Sequence, residues 1–275
     1  MTLEPSLVAA LTVGERSGVL RLLVDYDGTL VPIAGSPDQA APDEEVLSLL
    51  DGLAAKPGVH IEIVSGRSRE ALEQWFGHLP LTLWAEHGFW HRSAPGVAWD
   101  AAASVAPDWM NRIRPILERF SSSTPGSHVE VKSASLAWHY RRAQREVGAR
   151  QAHELRVLLG DTLSNQPFEV LEGKKVIEVR VRGVSKALVA HRVQAETSPD
   201  DRLVAIGDDR TDEDLFRALP PSSVTIAVGS RPTCANYRVA DYRSVRNILR
   251  VILLARLPSP APIPLDRHSH TSTIS

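Results

Sequence analysis

The chain has 275 residues, 43% hydrophobic and 23% charged, with a formal net charge of −2, an ordinary globular composition long enough for a core domain and a small insertion. Lys and Arg are scattered rather than clustered, which excludes a broad basic field for nucleic acid or an anionic membrane, so any anion must be bound locally. Cys234 is the only cysteine; an internal disulfide and cysteine-cluster metal sites are excluded, a reducing compartment fits, and a place in the core is expected for it.

Residues 1–18 hold Glu4 and Glu15 around a short apolar patch without a basic leader, so they do not read as a signal peptide. The late apolar run 251–254 is far too short to span a bilayer. A soluble, cytoplasmic protein is expected.

Apolar stretches that end abruptly in chemically capable residues recur, each followed by a helical pattern. Residues 21–26 read as a buried strand ending at Asp25-Tyr26-Asp27-Gly28-Thr29, and 43–56 has helical spacing through Val46, Leu49, Leu50 and Leu53 until Pro57-Gly58. Residues 60–64 form a second strand ending at Ser65-Gly66-Arg67, and Ser68 caps a helix to about Phe76. A third strand, 81–85, ends at Glu86-His87-Gly88. The middle differs: a helix at 109–120, alternating strands at 128–132 and 136–141, a helix at 147–159, and strands at 168–171 and 175–182. The first grammar returns in strand 202–206, ending at Gly207-Asp208-Asp209, a helix opened by Thr211, and strand 224–228.

This order predicts an α/β fold: a Rossmann-like parallel sheet core with helices on both faces and sites at the carboxyl ends of its strands, plus a smaller α+β domain. The expected division is a discontinuous core, 1–107 and 183–257, an α+β unit at 108–182, and a disordered tail at 258–275. His268 and His270 in that tail read as solvated rather than metal-binding.

Asp25 and Asp27 at a strand end suit a division of labour. One carboxylate attacks phosphorus; the other gives a proton to the leaving oxygen and later takes one from water. A turn held by local hydrogen bonds is the competing account, and the apolar strand in front argues against it. Two anions facing a phosphate require a cation, and Asp208 and Asp209 can complete an oxygen site for magnesium. Helix capping competes for Asp208, Asp209, Asp212, Glu213 and Asp214; it suits Glu213 and Asp214 but suits Asp208 poorly, which follows Val204-Ala205-Ile206-Gly207 directly. Ser65, with the amides of Gly66 and Arg67, offers donors for phosphate oxygens, and a plain helix cap is a close competitor for this serine. Lys186, opening the helix after the insertion, can stabilise transition-state charge, although a single lysine is more often a surface residue.

In order and spacing, Asp25-x-Asp27-Gly28-Thr29, Ser65-Gly66-Arg67, Lys186 and Gly207-Asp208-Asp209 resemble the four motifs of haloacid dehalogenase-type phosphatases. The longer strings are similar to the trehalose-6-phosphate phosphatase family over roughly residues 20–255. They are Asp25-Tyr26-Asp27-Gly28-Thr29-Leu30 with Pro32-Ile33, Glu86-His87-Gly88, His139-Tyr140-Arg141, and the run from Gly207 to Asp214. The resemblance implies hydrolysis of trehalose 6-phosphate to trehalose and phosphate through an aspartyl phosphate, in trehalose biosynthesis. It implies Asp25 as nucleophile, Asp27 as acid/base, Mg2+ held by Asp25, the Asp27 carbonyl and Asp208, and Asp209 and Asp212 behind them. Phosphate would be bound by Ser65, Gly66, Arg67 and Lys186. The insertion would be a mobile cap, and a functional link to a trehalose-phosphate synthase would follow; neither monomer nor dimer is specified.

Residues two apart on a strand share a face. Glu130 with Lys132, His139 with Arg141, and Glu178 with Arg180 and Arg182 therefore oppose Val129, Val131, Trp138, Tyr140, Ile177, Val179 and Val181. A solvated outer face and a ligand face explain this equally well; the resemblance favours sugar contacts from Glu130, Lys132, Arg141 and Glu178, with His139 beside them. One departure is Ser185-Lys186-Ala187 where the family usually has Asn-Lys-Gly; Ser is expected still to cap the helix. Other readings stay open: a phosphatase for sucrose phosphate, a glycosylglycerate phosphate or a monosaccharide phosphate, a sugar phosphomutase, or a non-catalytic sensor. The cap face separates the first, the fate of the phosphate the second, and the presence of Asp25, Asp27, Asp208 and Lys186 argues against the third.

Overall fold

The computed structural model describes residues 3–12, 18–33, 40–102, 108–173 and 175–255; the expected tail, with His268 and His270, lies outside them. The first half runs α1 (Pro5–Thr12), β1 (Leu20–Val24), α2 (Glu44–Ala54), β2 (Val59–Val64), α3 (Arg69–Phe76), β3 (Thr82–Ala85), β4 (Trp90–Arg92), β5 (Asp100–Ala101) and α4 (Asp108–Ser123). Next come β6 (His128–Val131), β7 (Ser135–His139), α5 (Arg145–Thr162), β8 (Phe168–Gly173) and β9 (Val176–Val181). The chain returns through α6 (Lys186–Ala195), β10 (Arg202–Gly207), α7 (Arg210–Ala218), β11 (Val224–Val228), β12 (Tyr237–Val239) and α8 (Tyr242–Leu254).

A strand apolar on both faces must be covered on both. β1 is buried at every position and lies inside an eight-stranded sheet of order β12-β11-β10-β1-β2-β3-β4-β5. From β12 to β3 neighbours run parallel; β4 and β5 add an antiparallel edge. Leu22 and Val24 point into a core with Leu50 of α2, Phe76 of α3 and Ile248 of α8. Leu23 points the other way, onto Val189 of α6 and Leu215 of α7. The expected α/β architecture is therefore present. On that second face Glu62, fully buried, is satisfied by Arg21 at 2.6 Å and by the Trp84 indole N–H at 2.7 Å.

The second sheet, β6-β7-β9-β8, is antiparallel throughout. Leu136, Trp138, Ile177 and Val179 pack on Trp109, Ile113 and Leu117 of α4 and on Leu155 and Leu159 of α5. Register places Glu130, Ala137 and Glu178 in one row of the opposite face. The two sheets meet where Phe89, Ala134 and Val184 cluster. Beside that cluster Glu86 accepts hydrogen bonds from the Ser133 hydroxyl at 2.9 Å and the Ala134 N–H at 3.2 Å.

Five elements lie outside the expected pattern: α1, β4, β5, β12 and α8. The three strands have three residues or fewer, too few for alternation to register. Cys234 is exposed rather than in the core, with its N–H donated to Glu213 at 2.9 Å. Among the described residues no helix is long and apolar enough to cross a membrane.

Candidate functional site

Parallel strands bring the polar motifs to one edge. Asp25 directly follows β1, and its N–H continues the ladder to Ile206 O at 2.9 Å. Gly28, with φ of 84°, lies so close to Asp208 that a Cβ there would come within 2.4 Å of the carboxylate. At Gly207 a Cβ would fall 2.0 Å from Asp212 Cγ. Gly207→Ala is therefore expected to displace Asp212, at a cost of about 1–3 kcal/mol from overpacking; thermal denaturation checks this, and an unchanged melting temperature would contradict the close approach.

Lys186 Nζ, buried, donates to Asp25 Oδ1 at 2.6 Å and to Asp212 Oδ1 at 2.7 Å. The other oxygen of Asp212 accepts the backbone N–H groups of Asp208 and Asp209, each at 3.0 Å. Asp212, 0% exposed, is thus a strut between the Lys186 ammonium and the turn after β10. Asp209 caps α7, accepting from the Thr211 N–H at 2.6 Å and hydroxyl at 2.7 Å, and Asp212 completes the capping box. Capping accounts for the Asp209 side chain but not for Asp208. Glu213 and Asp214 approach Arg217 at 3.5 and 3.8 Å.

Asp25, Asp208 and Asp212 each place a carboxylate oxygen within 4.8 Å of the others. Burial, and then the charges of Asp209 and Asp212, push the Asp208 carboxyl up to about 7. Burial pulls Lys186 down, yet Asp212 and Asp25 outweigh it and hold the ammonium above the usual lysine value. Among the described residues the three carboxylates outnumber the Lys186 ammonium, and each offers a hard oxygen. This set fits a divalent metal cation.

Ser65 is buried, its hydroxyl accepting from the Arg67 N–H at 3.1 Å; the cap of α3 is Ser68. The Arg67 guanidinium grips Asp27 through both oxygens, at 2.7 and 2.5 Å. Above this corner lies a cleft of ≈ 440 Å³ lined by Asp25, Asp27, Gly66, Arg67, Lys186, Asp208 and Asp209 and, from the second sheet, Glu130 and Lys132. Beside it lies a second lobe of ≈ 470 Å³, lined by Arg141, Glu178 and Arg180 across from Asp209, Arg210, Thr211 and Arg231. His139 holds Glu130 at 2.7 Å and stacks on His128; that hydrogen bond outweighs burial and lowers Glu130 to about 2. His87 lines both lobes.

The sequence profile of the trehalose-phosphatase family matches residues 23–243, through all of these strand ends. The chain belongs to the trehalose-phosphatase family. A bifunctional trehalose-6-phosphate synthase/phosphatase of Thermoproteus tenax is 46% identical over 228 residues, covering 83% of this chain and 31% of that protein. A trehalose-phosphatase of Schizosaccharomyces pombe is 34% identical over 256 residues, covering 87% of this chain and 31% of that protein. The chain thus spans about a third of the length of these curated relatives. A solved C-terminal domain of trehalose-6-phosphate phosphatase from C. albicans superposes with a TM-score of 0.80 at 32% identity, covering 92% of this chain and 97% of that one.

Within this member of the trehalose-phosphatase family, Ser185 occupies the N-cap position of α6 but makes no side-chain capping bond, contrary to expectation, although its extended backbone (φ −155°) is like that of Asp241, which caps α8 through its side chain. His87, Arg210 and Thr211 line the cleft without having been singled out as site residues. For His87 a signal exists in the Glu86-His87-Gly88 string at a strand end. The exposed Arg210 has none, since arginine at the start of a helix is common.

Proposed function

We propose that the chain is a magnesium-dependent phosphatase that hydrolyses trehalose 6-phosphate to trehalose and phosphate. The carrying observation is the Asp25–Lys186–Asp212 chain of charge at the floor of a cleft whose far wall is the polar face of the second sheet.

Lys186 occupies Asp25 Oδ1, which leaves Oδ2 to attack phosphorus. A new O–P bond forms, the P–O bond to the sugar breaks, and Asp27 passes a proton to the departing sugar oxygen. Arg67 holds both oxygens of Asp27, and movement of the guanidinium onto the phosphate as the sugar enters would favour the protonated form that Asp27 needs. Water then attacks the aspartyl phosphate, Asp27 takes its proton, and phosphate leaves with Asp25 restored. Lys186 stabilises charge on the transferring group. Held by Asp25, Asp208 and the Asp27 carbonyl, Mg2+ would supply positive charge to offset the negative charge that gathers on the phosphoryl oxygens. The Gly66 amide and the Ser65 hydroxyl, whose oxygen accepts the Arg67 N–H and whose own proton can be donated, are suited to receive phosphate together with the Arg67 side chain. Asp212 fixes Lys186 and the Asp208 backbone from behind, and Asp209 caps the helix that carries Asp212.

Glu130, Lys132, Arg141 and Glu178 offer hydrogen bonds to sugar hydroxyls, with His139 orienting Glu130. We read residues 108–182 as a cap that closes over the sugar and excludes water, on a core formed by 1–107 and 183–257. A functional link to a trehalose-phosphate synthase is supported by the bifunctional relative, and a cytoplasmic setting fits the single cysteine.

Phosphate release from a panel of sugar phosphates, with and without magnesium, tests this reading. Magnesium-dependent preference for trehalose 6-phosphate is expected. Preference for another sugar phosphate would overturn the substrate, and no hydrolysis at all would overturn the phosphatase.

A further inference from the structure

The turn that closes β3 is backbone-strained where the two lobes of the cleft join. Glu86, His87 and Gly88 have φ of 49°, 59° and 98°, a left-handed run that glutamate and histidine keep only where the surroundings impose it. Two contacts impose it here. Glu86, 5% exposed, is bonded to Ser133 and Ala134, which follow Lys132 in the β6–β7 turn. The His87 ring lies flush on the Gly66 backbone, where an added Cβ would sit 2.6 Å from Cε1 and 2.7 Å from Nε2.

The ring so placed has unused hydrogen-bonding capacity. Its Nδ1 is buried with no partner among the described residues, while the ring borders both lobes. A leucine or phenylalanine would pack against Gly66 without stranding a nitrogen. An imidazole in a polar cleft is accounted for by a ligand that meets it, since a buried polar atom without a partner calls for one. A neutral imidazole carries one donor and one acceptor, which a sugar hydroxyl matches.

We propose that His87 is a substrate-recognition residue, its imidazole hydrogen-bonding a hydroxyl of the sugar where the substrate passes from the phosphate lobe to the outer lobe. It thereby favours polyhydroxylated phosphate esters over simple ones. This rests on the phosphatase reading above.

The test compares wild type, His87→Leu and His87→Asn, each with magnesium, on trehalose 6-phosphate and on p-nitrophenyl phosphate, with circular dichroism to verify folding. Asparagine tolerates the left-handed backbone and keeps a donor and an acceptor. For His87→Leu, KM for trehalose 6-phosphate should rise about tenfold or more, and the ratio of kcat/KM on the sugar ester to that on the aryl ester should fall by a similar factor. His87→Asn should recover part of that ratio. Equal losses on both esters, or an unchanged ratio in folded His87→Asn and His87→Leu alike, would overturn the assignment while leaving the phosphatase intact. A wild type that hydrolyses neither ester would overturn both.

Discussion

Asp25→Asn is expected to lower magnesium-dependent phosphate release by about 10⁴-fold or more while leaving the protein folded. The amide nitrogen has no lone pair to offer phosphorus, whereas the amide oxygen can still accept from Lys186, and the backbone bond from residue 25 to Ile206 O is untouched. Stopped assays of phosphate release, together with mass spectrometry of the acid-quenched wild type for a phosphorylated Asp25 peptide, check both halves. Substantial turnover by the folded variant would show that another group attacks.

Lys186→Met should be the most damaging change to stability as well as to turnover. It leaves Asp25 and Asp212 buried without the ammonium that both touch, and breaking a buried ion pair from one side costs about 3–5 kcal/mol. The sign of the pH dependence follows from the carboxyls. Burial already holds Asp212 above its usual value, with Lys186 opposing; without the lysine both groups rise further. A carboxyl with a raised folded pKa destabilises fully above that pKa and not at all below its unfolded value. The deficit of the variant should therefore be large at neutral pH and shrink on acidification towards the ordinary carboxylate range. Denaturant melts across pH measure it, and adding Asp212→Asn should return part of the stability but none of the activity. A melt unaffected by Lys186→Met would contradict the buried pairing.

Much of this was legible in the sequence because the parallel sheet writes its site in a simple way. An apolar run such as 20–24, covered on both faces, can end only in solvent or in a site, and here Asp25 and Asp208 follow such runs directly. The second sheet was legible through strict alternation: Val129, Trp138, Ile177 and Val179 face the helices, and Glu130 and Glu178 the cleft. What stayed hidden depends on contacts remote in sequence. The Val245, Ile248, Leu249 and Ile252 repeat of α8 is plain once its partner surface is known. Ser65 serves as acceptor for its own turn because Ser68 takes the cap. The grip of Arg67 on Asp27, and the fit of the His87 ring on Gly66, arise from side chains that meet only after the strands align.

The Glu86 bonds to Ser133 and Ala134 have a mechanical corollary. They pin the β6–β7 turn to the core, so any swing of the second sheet has its fulcrum there, and displacement grows with distance along the strands. Lys132, next to the turn, travels least; Arg141, past the far end of β7, travels most. Were the second sheet to swing as the proposed cap, it would open at the Arg141 end while the Lys132 end stayed close to the core.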